Sequence, residues 1–452
     1  MTWKRILGKT VLTLFLLGGC ATVQTEREWE RIAEISQERI GQKLVWERSE
    51  QEKTYIQQEV NRLLADGLSR EEAVRIALMN NRDLQSEFEK IGIAKSDLIQ
   101  AGLLTNPTLE GLFRFPSGGG RTNIEAGGFF ALSDLWQIPL RKKVAAAELE
   151  VAIMKVGQGV VNTAAEVKKA YDTVTYLSRM TEETEEILEK FREIRDEIAV
   201  RRDFGFIQDS DVYLTQVMVL EAELELASSE TDLAVATAHL DRTLGLGPSQ
   251  FVYTLAETEP EGIGDLPELE AAVQHALTHR FDVRIAQFEI NQTERALDLE
   301  RARFLKHVNL GVSYERDTDG TNVFGPGLDI QVPIFDQNQA RISRTQHKLR
   351  QTQKRLQALE GRIREEVTKD IEQIHLFQTR ARHFREKILP LRERILEYAK
   401  KWVNAMQLNR LYLLESQRSF LESRREYVKT HIKLRNAFVD LELHLGGKVP
   451  GS

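Results

Sequence analysis

The sequence predicts a mainly α fold with a small β part, built from a duplicated unit of long coiled-coil helices and two β-hairpins. Three observations carry this. Long stretches of Ala, Glu, Leu, Lys, Arg and Gln run with few prolines, and charged residues reach 29% against 7% aromatics. Such a composition belongs to extended helices more than to a compact catalytic core. Next, the chain repeats itself: "ALMNNRDL" (Ala77 to Leu84) returns as "ALTHRFDV" (Ala276 to Val283), so that Asp83 matches Asp282. Glu166-Val167 matches Glu366-Val367, and Gln216, Leu220, Glu221, Leu244 and Gly245 match Gln417, Leu421, Glu422, Leu445 and Gly446. The offset stays at about 200 residues throughout, which marks duplication. Third, each copy holds a pair of short segments in which apolar and polar residues alternate.

Taken in order, the chain opens on a targeting segment. Lys4, Arg5 and Lys9 form a basic n-region, and Val11 to Leu17 is a short apolar run ending at Gly18-Gly19-Cys20. The run is roughly half of the ~20 residues a spanning helix needs, so 1–19 reads as a cleaved signal. Leu17-Gly18-Gly19-Cys20 resembles the bacterial lipobox, in which the cysteine receives a diacylglycerol and an N-acyl chain; an ordinary signal peptide with a chance cysteine is the bland alternative. Ala21, where an aspartate favours inner-membrane retention, points to the outer membrane of a Gram-negative cell. Cys20 is the only cysteine, so no internal disulfide or thiolate cluster is available. Losing Lys4, Arg5 and Lys9 moves the net charge from −7 to −10, which argues against nucleic acid as a partner.

The remaining boundaries follow from punctuation. Residues 20–66 form a lipid-anchored N-terminal segment, 67–247 the first repeat, 248–264 a Pro- and Gly-containing linker, 265–447 the second repeat and 448–452 a tail. Ser69 with Glu72 makes a capping box, opening a helix that runs to about Leu103. The second repeat opens near Pro267-Glu268 and its helix runs to about Leu305. In "HVNLGVSYE", Val308, Leu310, Val312 and Tyr314 point one way and Asn309, Gly311, Ser313 and Glu315 the other. "GLDIQVPI" continues with Leu328, Ile330 and Val332 opposing Asp329 and Gln331, with Asp319-Gly320 as the turn. The first repeat alternates more weakly, through Leu109, Phe113 and Phe115, then Ile124, Ala126 and Phe130. Very long helices follow, over about Asp134 to Arg202 and about Gln337 to Asn404, each of about 100 Å. Pro390 predicts a kink, and Ile388, Leu391, Ile395, Leu396, Ala399 and Trp402 make one narrow stripe suited to a coiled coil.

Strands of this length with one apolar face fit a membrane barrel wall, although a hairpin packed on a helix alternates in the same way. Four strands cannot close, and open edges in lipid leave backbone groups unsatisfied at several kcal/mol each. Three chains would supply twelve strands, a closed even-numbered barrel. Acidic residues facing its interior, Glu315 and Asp329, would keep a pore wet. Phe129, Phe130, Tyr314, Phe324, Phe335 and Trp136 are placed as membrane-interface anchors.

At this point Leu68 to Gly447 resembles the TolC-like outer-membrane efflux family. "PIFDQNQARI" (Pro333 to Ile342) resembles that family's strand-to-helix junction, and "IPLRKKVA" (Ile138 to Ala145) its first-repeat counterpart, with Leu140 where the family often has glycine. "FGFIQDSDVYLTQ" and "AMQLNRLYLLESQ" resemble the two periplasmic tip turns; Gly205 keeps the family's glycine and Met406 does not. The resemblance implies the outer-membrane channel of a tripartite export system. It would be a homotrimer in outer-membrane lipid, continued by a helical periplasmic tunnel and docked to a periplasmic adaptor and an inner-membrane pump. It also implies a periplasmic gate at the acids after the tip turns, Asp211 and Glu415, with Leu214 and Tyr412 in the complementary slots and Arg410 bridging to Asp209 or Asp211. A lipid-anchored coiled-coil scaffold or adaptor is the competing reading, disfavoured because a scaffold has no need of amphipathic strand pairs. No P-loop, GxSxG, HExxH or dinucleotide fingerprint appears, so the sequence reads as a non-enzyme without a cofactor beyond the acyl chains on Cys20. His275 and His279 have metal-ligand spacing but no third ligand, and a solvated helix face is the better reading.

Overall fold

The computed structural model describes residues 23–204, 208–247, 253–256, 266–404 and 410–447. Two short helices, α1 (Glu26–Arg39) and α2 (Glu50–Leu64), precede the repeats. The first repeat holds α3 (Arg70–Asn80), α4 (Arg82–Ala101), β1 (Thr108–Arg114), β2 (Asn123–Ala131), α5 (Asp134–Asp203) and α6 (Asp209–Leu244). The second holds α7 (Leu269–His279), α8 (Phe281–Ala302), β3 (Val308–Arg316), β4 (Asn322–Ile330), α9 (Gln339–His383), a π turn (Phe384–Ile388), α10 (Leu389–Asn404) and α11 (Arg410–Leu445). Element for element, the second half repeats the first. Among the described residues, no helix is long and apolar enough to cross a membrane.

Three expectations are refined. The helix opening each repeat is broken in two, at Asn81 and at Arg280, where ψ swings to 120° and 139°. Both residues gain tertiary partners at these points, which periodicity cannot show. Ahead of Pro390, the second long helix forms a π turn, with Leu389 N–H donating to the Phe384 carbonyl five residues back. Proline brings no N–H and its ring crowds the carbonyl four residues earlier; the wider turn relieves that clash. Finally, the linker is anchored: Leu68 N–H donates to Thr254 O (2.8 Å) and Ala256 N–H to Leu68 O (2.9 Å).

By contacts the chain divides into two compact units, each drawing on both repeats. One comprises Met1–Ile32, Glu89–Lys155 and Arg284–Gln357, and holds the whole β-sheet. Arg31 and Glu150 (2.8 Å) and Lys95 and Glu28 (2.7 Å) pair within it. The other comprises Ala33–Phe88, Val156–Val283 and Ala358–Ser452 and is helical. Its core toward the α5–α6 turn is Leu188, Phe191, Ile198, Val212, Met218, Val219 and Leu414. Toward the repeat openings, the capping box expected at Ser69 and Glu72 is formed in full, and Tyr171 Oη donates to Leu68 O (2.9 Å).

Candidate functional site

The four strands form one antiparallel sheet in the order β1-β2-β3-β4. β2 pairs with β3, joining the hairpin of one repeat to that of the other, from Ile124 opposite Arg316 to Ala131 opposite Asn309. Among the described residues, the outer edges of β1 and β4 have no strand partner.

Because side chains alternate along a strand, the register sorts them into two faces. One face presents Leu109, Gly111 and Phe113 of β1 and Ile124, Ala126, Gly128 and Phe130 of β2. It continues with Val308, Leu310, Val312 and Tyr314 of β3, and Phe324, Pro326, Leu328 and Ile330 of β4. The face is apolar apart from the Tyr314 hydroxyl and, at the hairpin-turn end, Arg316 and the Asn322 opposite it. It is also largely uncovered: Leu109 is 84% exposed, Phe324 72% and Val312 49%, while Val308 is buried at the helical end. A patch of this extent on a soluble monomer marks an interaction surface.

The opposite face carries Glu110, Arg114, Asn123, Glu125, Asn309, Ser313, Glu315 and Asp329, with Leu112 and Val323 as apolar exceptions. Arg114 pairs with Glu125. Asn123 Nδ2 donates to Glu315 (2.9 Å) and Asn309 Nδ2 to Asp329 (3.1 Å). Both acids expected on a polar face are therefore on it and held by amides.

Phe129 corrects one expectation. It stands on this polar face, not among the apolar anchors, and its ring lies across Gly127, Gly311 and Gly327. A Cβ at Gly127 would come within 2.9 Å of the ring, and one at Gly327 within 2.8 Å. Glycines facing an aromatic across neighbouring strands were the available signal, legible only once the register is known. Phe130, Tyr314 and Phe324 do lie on the apolar face, Trp136 is half-buried in the first turn of α5, and Phe335 is 91% exposed beyond β4.

Where strands meet helices, the motif residues acquire jobs. Asp336 accepts from Lys306 (2.5 Å) and from the Asn338 amide (2.9 Å), and these partners, Lys306 first, hold its carboxyl below the usual range. Buried Asn338 takes a left-handed φ of 66° and donates to Glu300 O (2.6 Å) and Oε2 (2.7 Å). Asparagine tolerates this conformation where most residues do not, so Asp-Gln-Asn bends the chain from β4 into α9. At the first-repeat junction, buried Asp134 accepts from the Thr105 amide (2.6 Å) and Arg141 (3.0 Å). Leu104, Leu135, Phe304 and Ile334 are exposed around these junctions.

Residues 272–447 match the family profile described as outer membrane efflux protein. The second half of the chain is thus similar to the outer membrane efflux family. A curated relative is the cobalt-zinc-cadmium resistance protein CzcC of Cupriavidus metallidurans, 24% identical over 225 residues, 50% of this chain and 53% of that protein; the match spans about half the length of that relative. Among solved structures, CusC superposes with a TM-score of 0.68 at 17% identity, covering 86% of this chain and 94% of its own. The CmeC outer membrane channel of Campylobacter jejuni gives 0.73 at 13% identity, covering 85% and 87%. These structures share the fold.

The tip acids are only partly described. Asp209 is exposed and Asp211 half-buried in the first turn of α6, where carboxylates complement the helix dipole. Glu415, Leu214 and Tyr412 are exposed. Gly205, Met406, the Arg410 side chain and Cys20 lie outside the described residues. Arg192 pairs with Glu223 (2.8 Å) and Arg424 with Glu183 (2.6 Å), although burial still pushes the Glu183 carboxyl up. His275 and His279 stack at 3.9 Å between ring centroids, with His279 Nδ1 at 2.7 Å from Thr278 Oγ1. Burial, then the neighbouring His279, lowers the His275 pKa. Among the described residues, no group of three or more His, Cys, Asp and Glu is placed to hold a metal.

Proposed function

We propose that this chain is the outer-membrane channel of a tripartite export system, working as a homotrimer with a periplasmic adaptor and an inner-membrane pump. The observation that carries the reading is the sheet: one largely exposed apolar face, one polar face and, among the described residues, two unpaired edges. In lipid such edges must close, and three copies supply twelve strands with the apolar face outward and the polar face lining a lumen. On that polar face Glu110, Glu125, Glu315 and Asp329 outnumber Arg114, which favours cations, and the relative named for cobalt, zinc and cadmium resistance fits a divalent-cation cargo. The acyl chains on Cys20 hold the N-terminal segment at the same membrane, and Cys20→Ser removes lipidation, read by labelled palmitate, without preventing insertion. Asp211 and Glu415, with Asp209 and Arg410, form the periplasmic gate. Glu415→Gln then lowers cation selectivity and Asp211→Ala raises resting conductance in bilayer recordings.

Arginine scanning of the sheet tests the reading. Val312→Arg, on the apolar face, is expected to cost about 2–4 kcal/mol near the bilayer midplane and to abolish conductance. Ser313→Arg, its neighbour on the polar face, is expected to insert normally and shift ion selectivity. Equal tolerance at the two positions refutes the barrel.

A further inference from the structure

Where β4 gives way to α9, the second repeat encloses a cleft of about 450 Å³, within the roughly 300–1,000 Å³ of small-molecule sites. Every residue lining it belongs to the unit that holds the sheet. One wall is apolar: Phe304, Val332, Pro333, Ile334 and Phe335. Val332 and Ile334 continue the every-second-residue series of Leu328 and Ile330 on β4. They are 66% and 68% exposed, so the apolar face of the sheet runs on past the strand end into the cleft. The other wall is polar, with Lys306, His307, Asp336 and Arg341.

The duplication shows which charge here lacks a partner. Arg141 near the start of α5 and Arg341 in the first turn of α9 stand at the offset of about 200 residues that relates the repeats. Arg141 is held by Asp134 (3.0 Å). At the second junction the acid, Asp336, is taken instead by the largely buried Lys306 (2.5 Å). Among the described residues, Arg341 pairs with no carboxylate. Its own helix offers none nearby: from Gln339 until Glu360, α9 carries six arginines and lysines and no acid. A cation in the first turn also sits at the positive end of the helix dipole, so an anion in the cleft relieves two repulsions at once. A guanidinium fork matches the oxygens of a phosphate. A free anion would leave the apolar wall wet, and a bare hydrocarbon would leave Arg341 without a partner; a ligand that joins phosphate to acyl chains satisfies both walls.

We propose that this cleft binds one anionic glycerophospholipid of the periplasmic leaflet, with its phosphate on Arg341 and Lys306 and its acyl chains along Val332, Ile334 and the apolar face of the sheet. The inference rests on the channel reading, which sets the sheet in lipid and the helices in the periplasm, and so puts their junction at the level of the headgroups.

Native mass spectrometry of full-length trimers released in detergent counts bound lipid directly. On titration with dioleoyl phosphatidylglycerol or dioleoyl phosphatidylcholine, the wild type is expected to hold one phosphatidylglycerol per chain, about fivefold tighter than phosphatidylcholine. Arg341→Gln is expected to erase that preference and Arg341→Lys to keep most of it, while Val332→Asp weakens both lipids. Lys143→Gln, which removes an exposed cation near the first junction, is expected to change neither affinity. Conducting trimers that bind the two lipids equally overturn the site and leave the channel standing; a protein that forms neither trimer nor conductance takes down the channel reading and the site with it. Displacement of phosphatidylglycerol by millimolar inorganic phosphate would show a site for a free anion. Binding gained only in Cys20→Ser would give the cleft to the chain's own acyl groups, and binding by separated monomers but not by trimers would give it to a neighbouring copy. Each of these three results overturns the proposal.

Discussion

The two repeats solve one problem with different residues. In each, the helix opening the repeat breaks after three turns, and the last helix ends against that break on a glycine with left-handed φ, 72° at Gly245 and 83° at Gly446. In the first repeat short amides do the joining: Asn80 Nδ2 donates to Leu244 O (2.9 Å) and Gly245 O (3.0 Å), and Asn81 Nδ2 to Thr243 O (2.8 Å). Asn81 Oδ1 also caps α4 through the Leu84 amide (2.9 Å). In the second repeat Arg280 replaces Asn81 and reaches His444 O (3.2 Å), the position matching Thr243, while it also holds Asp282 (2.7 Å) and Glu366 (2.8 Å). His279 offers no counterpart to the Asn80 amide. Arg39, from α1, donates to Gly446 O (2.7 Å) and to His279 O, with its guanidinium 4.3 Å over the Phe281 ring. Duplication preserves the requirement, that orphan carbonyls at a helix end find donors, and leaves the donor free to change, even to one from outside the repeat.

Charge makes the second solution the more costly to break. Arg280→Ala leaves two carboxylates and a carbonyl facing a nearly buried gap and is expected to cost about 3–5 kcal/mol in denaturant titrations of the solubilised protein. A loss no greater than that of Asn81→Ala would end the comparison. Next come the glycines. A Cβ at Gly245 would meet the Asn80 carbonyl carbon at 2.8 Å, and one at Gly446 the His279 carbonyl carbon at 3.0 Å; with the positive φ added, Gly245→Ala is expected to cost about 2 kcal/mol and Gly446→Ala somewhat less. The reverse order would mean that Arg39 holds the second end more rigidly than the amides hold the first. Asn81→Ala, losing one cap and one carbonyl partner, is expected to cost about 1–2 kcal/mol.

The smallest effect separates the repeat openings. Ser69 and Glu72 bond reciprocally, while the second repeat uses Glu268 alone, accepting from the Ala271 amide (3.1 Å). The Ser69 hydroxyl, then its amide, holds the Glu72 carboxyl below its ordinary value. A depressed carboxylate contributes stability above its unfolded pKa and loses it as pH falls through the folded one. Ser69→Ala is expected to cost about 1 kcal/mol at neutral pH, and the gap from wild type is expected to close in acid below about pH 4. A gap unchanged by pH would show that the hydroxyl acts without Glu72.

Much of this was legible in residues. The long helix predicted over about Asp134 to Arg202 spans Asp134–Asp203 and carries Pro139, Gly157 and Gly159 within it, because the helical period holds on either side of them. The strand faces led by Leu310, Val312, Leu328 and Ile330 are as the alternation requires, since a side-chain period of two leaves no other arrangement once one face is apolar. The sequence predicts one stripe on α10, yet Ala399 turns inward while Leu391, Ile395 and Trp402 face out. Tyr398, outside that stripe, faces out with them. A stripe in sequence does not say which of two neighbours each residue meets.

Local pattern alone therefore determined the extent of the first long helix, the capping box and the two faces of the sheet, because each depends on neighbours a few residues away, and comparison of the two halves of the sequence determined the duplication. Only the tertiary structure decided the breaks at Asn81 and Arg280, the Phe129 ring over Gly127, Gly311 and Gly327, and the Arg39 clasp on Gly446. In each case the deciding partner lies far along the chain, and the energy belongs to the meeting of two segments and not to either one.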